Sequence, residues 1–385
     1  MPEYPGIISS KLPKAGMSIF SIMSKLAEEH NAINLSQGFP NFDCSQELLS
    51  LVNKYLQKGL NQYAPMPGIM PLREAIAKKT EELYSAVYDP EKEITITSGA
   101  TQAIFTAITA TIKDNDEVIV FGPAYDCYQS AIELNGGRPV YVTLKAPDFS
   151  INWDAVKKVI NHRTKMIIIN SPHNPTGSVL TEKDMQCLEK LVKNTNIIIL
   201  SDEVYEHIIF DGKKHISVCK YPALAERSFI VSSFGKTFHT TGWKMGYCLA
   251  PANLMAEFRK SHQYIVFSCN TPFQYALTEY LNKKEAYLEL AQFYQKKRDY
   301  FNGLIKDSRF TIIPASGTYF QLLDYKKITD KKDTDFAISL TKDYGIASVP
   351  VSVFYGTPVD NKVLRFCFAK DDETLEKAAE ILCKI

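Results

Sequence analysis

Apolar residues in the middle of the chain come in short, dense runs: Ile94–Thr97, Val118–Phe121, Val140–Leu144, Met166–Asn170, Ile197–Ser201, Phe229–Ser232 and Tyr247–Ala250. Several lack polar alternation, the pattern of strands covered on both faces. Between them lie stretches with helical spacing, among them Thr101–Thr111, Trp153–Ile160 and Glu182–Lys193. Strands alternating with helices predict βαβ units and an α/β fold with a mostly parallel, seven-stranded sheet. Ligands of such sheets bind at the carboxyl ends of the strands. Past about residue 275 the pattern changes. One long helix is expected from Gln274 to Lys306, then strands at Phe310–Ile313, Tyr319–Leu323 and Val363–Phe368, with helices at Asp335–Tyr344 and Glu373–Lys384. This predicts a large unit over residues 45–285 and a smaller α+β unit over 286–385. The N-terminal segment, 1–44, shows no strand–helix rhythm and is expected to lie against the smaller unit.

Composition narrows the class of function. The chain has 385 residues, enough for a large core and two domains. With 45% hydrophobic and 23% charged residues it has the balance of a soluble globular protein. A net charge of +1 leaves no basic excess to meet nucleic acid or a membrane surface. No apolar run approaches the ~20 residues of a membrane span. The opening Met1-Pro2-Glu3-Tyr4-Pro5-Gly6 has neither the basic nor the apolar region of a secretory signal. The 8 cysteines are scattered without CxxC pairs, which predicts free thiols in a reducing cytoplasm and no metal site.

Candidate chemistry gathers just after the strands. Lys236 sits in Ser232-Ser233-Phe234-Gly235-Lys236-Thr237, with Lys244 a few residues on. A lysine in a loop is by default a solvated charge. Here hydroxyls, a glycine and a second cation surround it, and burial with a neighbouring cation favours the neutral amine that forms an imine. Asp202 ends another apolar run, in Ser201-Asp202-Glu203-Val204-Tyr205. It reads either as a cap of the following turn or as a carboxylate held against a protonated ring nitrogen. Lysine for a Schiff base and aspartate for a pyridinium nitrogen are the two groups that pyridoxal phosphate chemistry most needs. Tyr205 and Asn174 are placed to reach the ring's 3-oxygen. Asn174 lies in the rigid turn Ser171-Pro172-His173-Asn174-Pro175-Thr176-Gly177. Ser98, Gly99, Ala100 and Thr101 follow a strand and open an apolar helix, whose free N–H groups suit a phosphate; the plainer reading of Ser98 is an N-cap. Tyr125 follows Phe121-Gly122-Pro123-Ala124 and is placed to stack on the ring or to pack in the core. Arg365, inside Val363–Phe368, is costly unless paired, so it is either half of a buried ion pair or a grip for a substrate carboxylate.

In this order the motifs resemble the class I aminotransferases of pyridoxal-phosphate fold type I. Within them, the chain is most similar to the subgroup of methionine aminotransferases and kynurenine aminotransferase/cysteine-conjugate β-lyase. The resemblance runs from Asn34-Leu35-Ser36-Gln37-Gly38-Phe39-Pro40 and Gln62-Tyr63-Ala64-Pro65 to Arg365-Phe366-Cys367-Phe368. It implies pyridoxal 5′-phosphate as cofactor, with Lys236 as its anchor, Asp202 at the ring nitrogen, Asn174 and Tyr205 at the 3-oxygen, and Tyr125 on the ring. It also implies Ala100, Thr101, Ser233 and Lys244 at the phosphate, and Arg365 with Gly38 at the substrate carboxylate. Tyr63 is implied to reach the site from the second subunit of a homodimer. Tyr63, Phe267, Tyr319 and Phe354 match aromatic positions near the subgroup's side-chain pocket.

The activity so implied moves an amino group from an apolar, sulfur-containing or aromatic L-amino acid to a 2-oxo acid. Methionine comes first among donors, because Gly317–Leu322 and Val349–Phe354 resemble the bacterial methionine enzymes. No second fixed cation is evident for an acidic side chain, which disfavours aspartate. A C–S β-lyase acting through the same carbanion and a non-catalytic sensor on this fold remain as alternatives.

Overall fold

Seven strands form the central sheet, in the order Ile94–Thr97, Gly246–Leu249, Ser228–Ser233, Ile198–Asp202, Thr164–Asn170, Glu117–Gly122 and Arg138–Thr143. Only Gly246–Leu249 runs antiparallel to its neighbours. The computed structural model describes residues 4, 6–13, 15–357 and 359–385. Met1, Pro2, Glu3 and Pro5, on which the expectation of no secretory signal partly rests, lie outside the described residues. The unbroken apolar runs have a direct cause. Met166 and Ile168 pack into one hydrophobic cluster and Ile167 and Ile169 into another, so successive side chains of one strand enter two cores. The helices Gly99–Thr111, Cys127–Leu134 and Ala252–Ile265 contribute to the first of these.

A four-stranded antiparallel sheet, ordered Val349–Pro350, Val363–Cys367, Phe320–Asp324 and Thr311–Ile313, carries Arg365 and lies next to Tyr319. A two-residue parallel ladder joins Ile33–Asn34 to Ile346–Ala347.

Two expectations need correction. The single helix over Gln274–Lys306 is three: Thr271–Leu281, Glu285–Leu288 and Leu290–Ile305. The first stops where Asn282 turns its side chain onto the Thr278 carbonyl, at 3.1 Å, a local bond that competes with helix propagation. The N-terminal segment also has regular structure. Ser18 caps a helix over Ile19–Glu29, accepting from the Ser21 N–H at 3.2 Å, and this helix packs on Asp333–Tyr344. Its buried stripe is only Met23 and Ala27, too narrow to stand out as a period.

Candidate active site

Strand register brings the chemistry to one edge of the sheet. Asn170 and Asp202 are direct partners at the ends of adjacent strands. Asn170 ties the loops beyond them together. Its Nδ2 donates to the Asp202 carbonyl at 2.9 Å and its Oδ1 accepts from the Asn174 N–H at 2.8 Å. The Asp202 carboxylate is buried and accepts from the Tyr128 hydroxyl at 2.6 Å and the Val204 N–H at 3.3 Å. Burial pushes it up to about 6, although both donors favour the anion. The other acids of this turn face away. Glu203 meets His215 Nε2 at 2.7 Å and the Val218 N–H at 3.1 Å. Glu206 accepts from Lys79 Nζ at 2.7 Å and the Tyr84 hydroxyl at 2.6 Å. The turn that presents Asp202 and Tyr205 is thereby pinned from behind by two buried carboxylates.

Opposite Asp202 lies the start of the Gly99–Thr111 helix. Gly99 has φ +74°, which a side chain would strain. A Cβ on Gly246 would come within 2.7 Å of the Ser232 carbonyl and 3.1 Å of the Ala100 nitrogen, so only glycine lets this strand lie against the helix's first turn. Ala100, Thr101, Ser233 and Lys244 border the same cavity, with Lys244 in the left-handed conformation at φ +55°. Unpaired first-turn N–H groups, a hydroxyl and an ammonium together form an anion cradle. Ser98 does not border this cavity. Its side chain makes no cap and its N–H is taken by Gln102 Oε1 at 2.9 Å.

Lys236 reaches this cavity from the turn after Ser228–Ser233. Burial pulls its amine down to about 8, and the charges of Arg365 and Lys244 act in the same direction. At pH 7 about a tenth of such amines are neutral, against about three in ten thousand at the ordinary lysine value. Tyr125 and Tyr205 line the cavity, and burial raises both phenols. Arg365 is 1% exposed and donates to Asn174 Oδ1 at 2.8 Å and to the Ser36 carbonyl at 3.1 Å. Its Nε has no partner, and among the described residues no carboxylate pairs with it. It stacks 3.9 Å above the Phe320 ring, with Phe354 at 5.7 Å. A buried, unpaired guanidinium is a site for an anion from outside the chain.

The matched family model, Aminotransferase class I and II, covers residues 30–382. The chain belongs to the class I and II aminotransferases. It is 47% identical over 383 residues to methionine aminotransferase of Escherichia coli, spanning 99% of each chain. A solved E. coli structure, YbdL, described as having a methionine aminotransferase function, matches with a TM-score of 0.97, covering 99% of this chain and 100% of that one. Human kynurenine–oxoglutarate transaminase 1 is 32% identical over 395 residues, 94% of each. Like its family, this aminotransferase depends on pyridoxal 5′-phosphate. The cavity suits that molecule: an anion cradle, a buried carboxyl for a ring nitrogen and a lysine amine of lowered basicity converge on it.

Four of the expected positions, Tyr319, Gly38, Tyr63 and Phe267, do not border the Lys236 cavity of the single chain. Tyr319, expected in the side-chain pocket, is wholly buried behind Lys236 with its hydroxyl 2.8 Å from Nζ. Gly38 meets Lys236 through its carbonyl at 3.2 Å. Tyr63 and Phe267 stand on the surface, 82% and 47% exposed, with ring centroids 5.3 Å apart, and neither borders the Lys236 cavity. Sequence reasoning overlooked Tyr128, Asn170, Ile104, Thr241 and Met245. Asn170 ends an apolar strand just as Asp202 does, and that signal was available. Tyr128 follows Tyr125 by three residues, just inside the Cys127–Leu134 helix, a weaker signal.

Proposed function

We propose that this aminotransferase takes its amino group from an L-amino acid with an apolar, sulfur-containing or aromatic side chain, methionine first, and passes it to a 2-oxo acid. The reading is carried by Arg365, a buried guanidinium whose Nε has no hydrogen-bond partner and which forms no ion pair with a carboxylate among the described residues. Its fork binds the substrate α-carboxylate. Because Asn174 Oδ1 accepts from Arg365, the Asn174 amide nitrogen is left to donate to the cofactor 3-oxygen, together with the neutral Tyr205 phenol. Asp202 keeps a proton on the ring nitrogen, with Tyr128 fixing its orientation. Ala100, Thr101, Ser233 and Lys244 hold the phosphate, and Tyr125 covers the ring. When bound, the cofactor supplies an electron sink for the pair left as the Cα proton departs. Lys236 Nζ takes that proton in its neutral form and returns it one carbon further on.

A second cavity beyond Tyr125 supports the choice of donor. It is bordered by Ile19, Tyr125 and Phe354, and by the carboxylates of Asp126 and Glu133. Among the described residues no lysine or arginine lines it, so an acidic side chain there meets like charge. The E. coli relative's name points the same way. No observation favours the β-lyase or sensor alternatives. We further propose a homodimer in which the exposed Tyr63–Phe267 pair meets the partner's site, and a cytoplasmic setting that keeps the 8 free cysteines reduced. The division into 1–44, 45–285 and 286–385 belongs to the same proposal. Ranking donors by kcat/KM against one 2-oxo acid tests the substrate: methionine and aromatic amino acids should lead, and aspartate in first place overturns it.

A further inference from the structure

Among the described residues Lys236 Nζ has two hydrogen-bond partners, and neither is a charge. The Tyr319 hydroxyl lies at 2.8 Å and the Gly38 carbonyl at 3.2 Å. The same hydroxyl is 2.5 Å from the same carbonyl. A phenol carries one hydrogen and a carbonyl only accepts, so the Tyr319 hydrogen is committed to Gly38. What Tyr319 turns toward Lys236 is therefore an oxygen lone pair.

The ring that carries this oxygen cannot swing. Tyr319 is fully buried and packs edge-on against Tyr205 and Phe320, with centroids 5.2 and 4.9 Å apart, and against Tyr294 at 5.7 Å. Its carbonyl is fixed by the Phe368 N–H at 3.0 Å. Behind it, the Thr318 hydroxyl accepts from the Phe320 N–H at 3.2 Å and closes the turn. The cavity borders Lys236 but neither Tyr319 nor Gly38.

We propose that the Tyr319 hydroxyl and the Gly38 carbonyl form a berth for the Lys236 amine whenever it is not joined to the cofactor, making Tyr319 a positioning residue for the proton transfer. This rests on Lys236 being the reacting amine. A neutral amine has two hydrogens and one lone pair. With both hydrogens donated into the berth, the tetrahedral nitrogen points its lone pair away from Tyr319 and Gly38, where it can meet a substrate Cα–H. After the transfer the new N–H occupies that direction, ready for return, while the two berth bonds persist. A 2.8 Å bond on a rigid ring restricts a side chain that otherwise has four rotatable bonds, and orientation of this kind lowers the barrier to transfer.

Tyr319→Phe keeps the ring and removes only the oxygen. In the cofactor-loaded enzyme, the single-turnover rate with a saturating amino acid should fall about 10-fold or more, as expected for loss of a correctly held general base. The KM for the amino acid and the retention of cofactor should stay near wild type, and the isotope effect with Cα-deuterated substrate should rise. The acid limb of the pH–rate profile should move to lower pH, because the lost acceptor had stabilised the ammonium. Wild-type single-turnover rate and isotope effect in Tyr319→Phe overturn the berth. An active Lys236→Ala would instead overturn the reading of the site, so the two failures are distinguishable. Should Tyr319→Phe not fold, fluorotyrosine at position 319 keeps the shape and weakens the acceptor. The rate should then fall with increasing fluorination, and a flat series overturns the berth.

Discussion

In the cofactor-free protein, Asp202→Asn should be stabilising, and increasingly so as pH rises. The Asp202 carboxyl is raised from 3.8 to about 6, chiefly by burial. Below pH 3.8 both folded and unfolded chains hold the proton and the residue costs nothing. As pH rises through 6 the folded state must ionise a buried group that the unfolded chain ionised earlier, so stability is lost across that window. The full penalty is ~3 kcal/mol above about pH 7, and about 1.5 kcal/mol at pH 5. Asparagine avoids it. The amide keeps the Tyr128 bond through Oδ1 but turns its NH2 toward the Val204 N–H, forfeiting that 3.3 Å contact at a cost of about 1 kcal/mol. The net expectation is a gain of about 2 kcal/mol at pH 8 and about 0.5 kcal/mol at pH 5. Denaturant unfolding of the cofactor-free wild type and variant at both pH values measures it. With cofactor the order should invert, because the variant no longer offers a charge to the ring nitrogen. A variant no more stable at pH 8, with a difference unchanged at pH 5, would refute the reasoning.

Other parts of the structure give sharp expectations. Arg365→Lys keeps the charge but loses the fork, and should raise the KM for both the amino acid and the 2-oxo acid by about 10- to 100-fold; unchanged KM values would remove Arg365 from the substrate. Lys79→Met strands the buried Glu206 carboxylate and should cost ~3–5 kcal/mol in denaturant unfolding. Adding Glu206→Gln should recover part of that loss, and no recovery would mean that the two residues act independently.

The sheet was legible because strands buried on both faces write continuous apolar runs. Each of the seven was placed within a residue or two of its bounds. The helices over 271–305 were not, because the stop at Asn282 depends on where one side chain bonds. The residues that meet in the cavity were legible for a topological reason. Asp202, Ser233 and Asn174 each fall at or just past a strand's carboxyl end, and parallel strands bring those ends together. What sequence could not show was pairing across elements. Tyr128 reaches Asp202 over 74 positions and Tyr319 reaches Lys236 over 83, contacts set by packing and absent from any local pattern. Ser98 misled for the opposite reason. It has the composition of a cap, but Gly99 starts the helix in a left-handed conformation and leaves the Ser98 side chain without the geometry to cap it.

The most direct test locates the cofactor on the chain. Reducing the pyridoxal 5′-phosphate-loaded enzyme with borohydride fixes the lysine linkage, and peptide mass spectrometry then reads its position. The expected result is the reduced cofactor mass on the peptide containing Lys236 and on no other lysine. Attachment at Lys244 or elsewhere, or no stable uptake, would contradict the assignment of Lys236 as anchor and proton carrier.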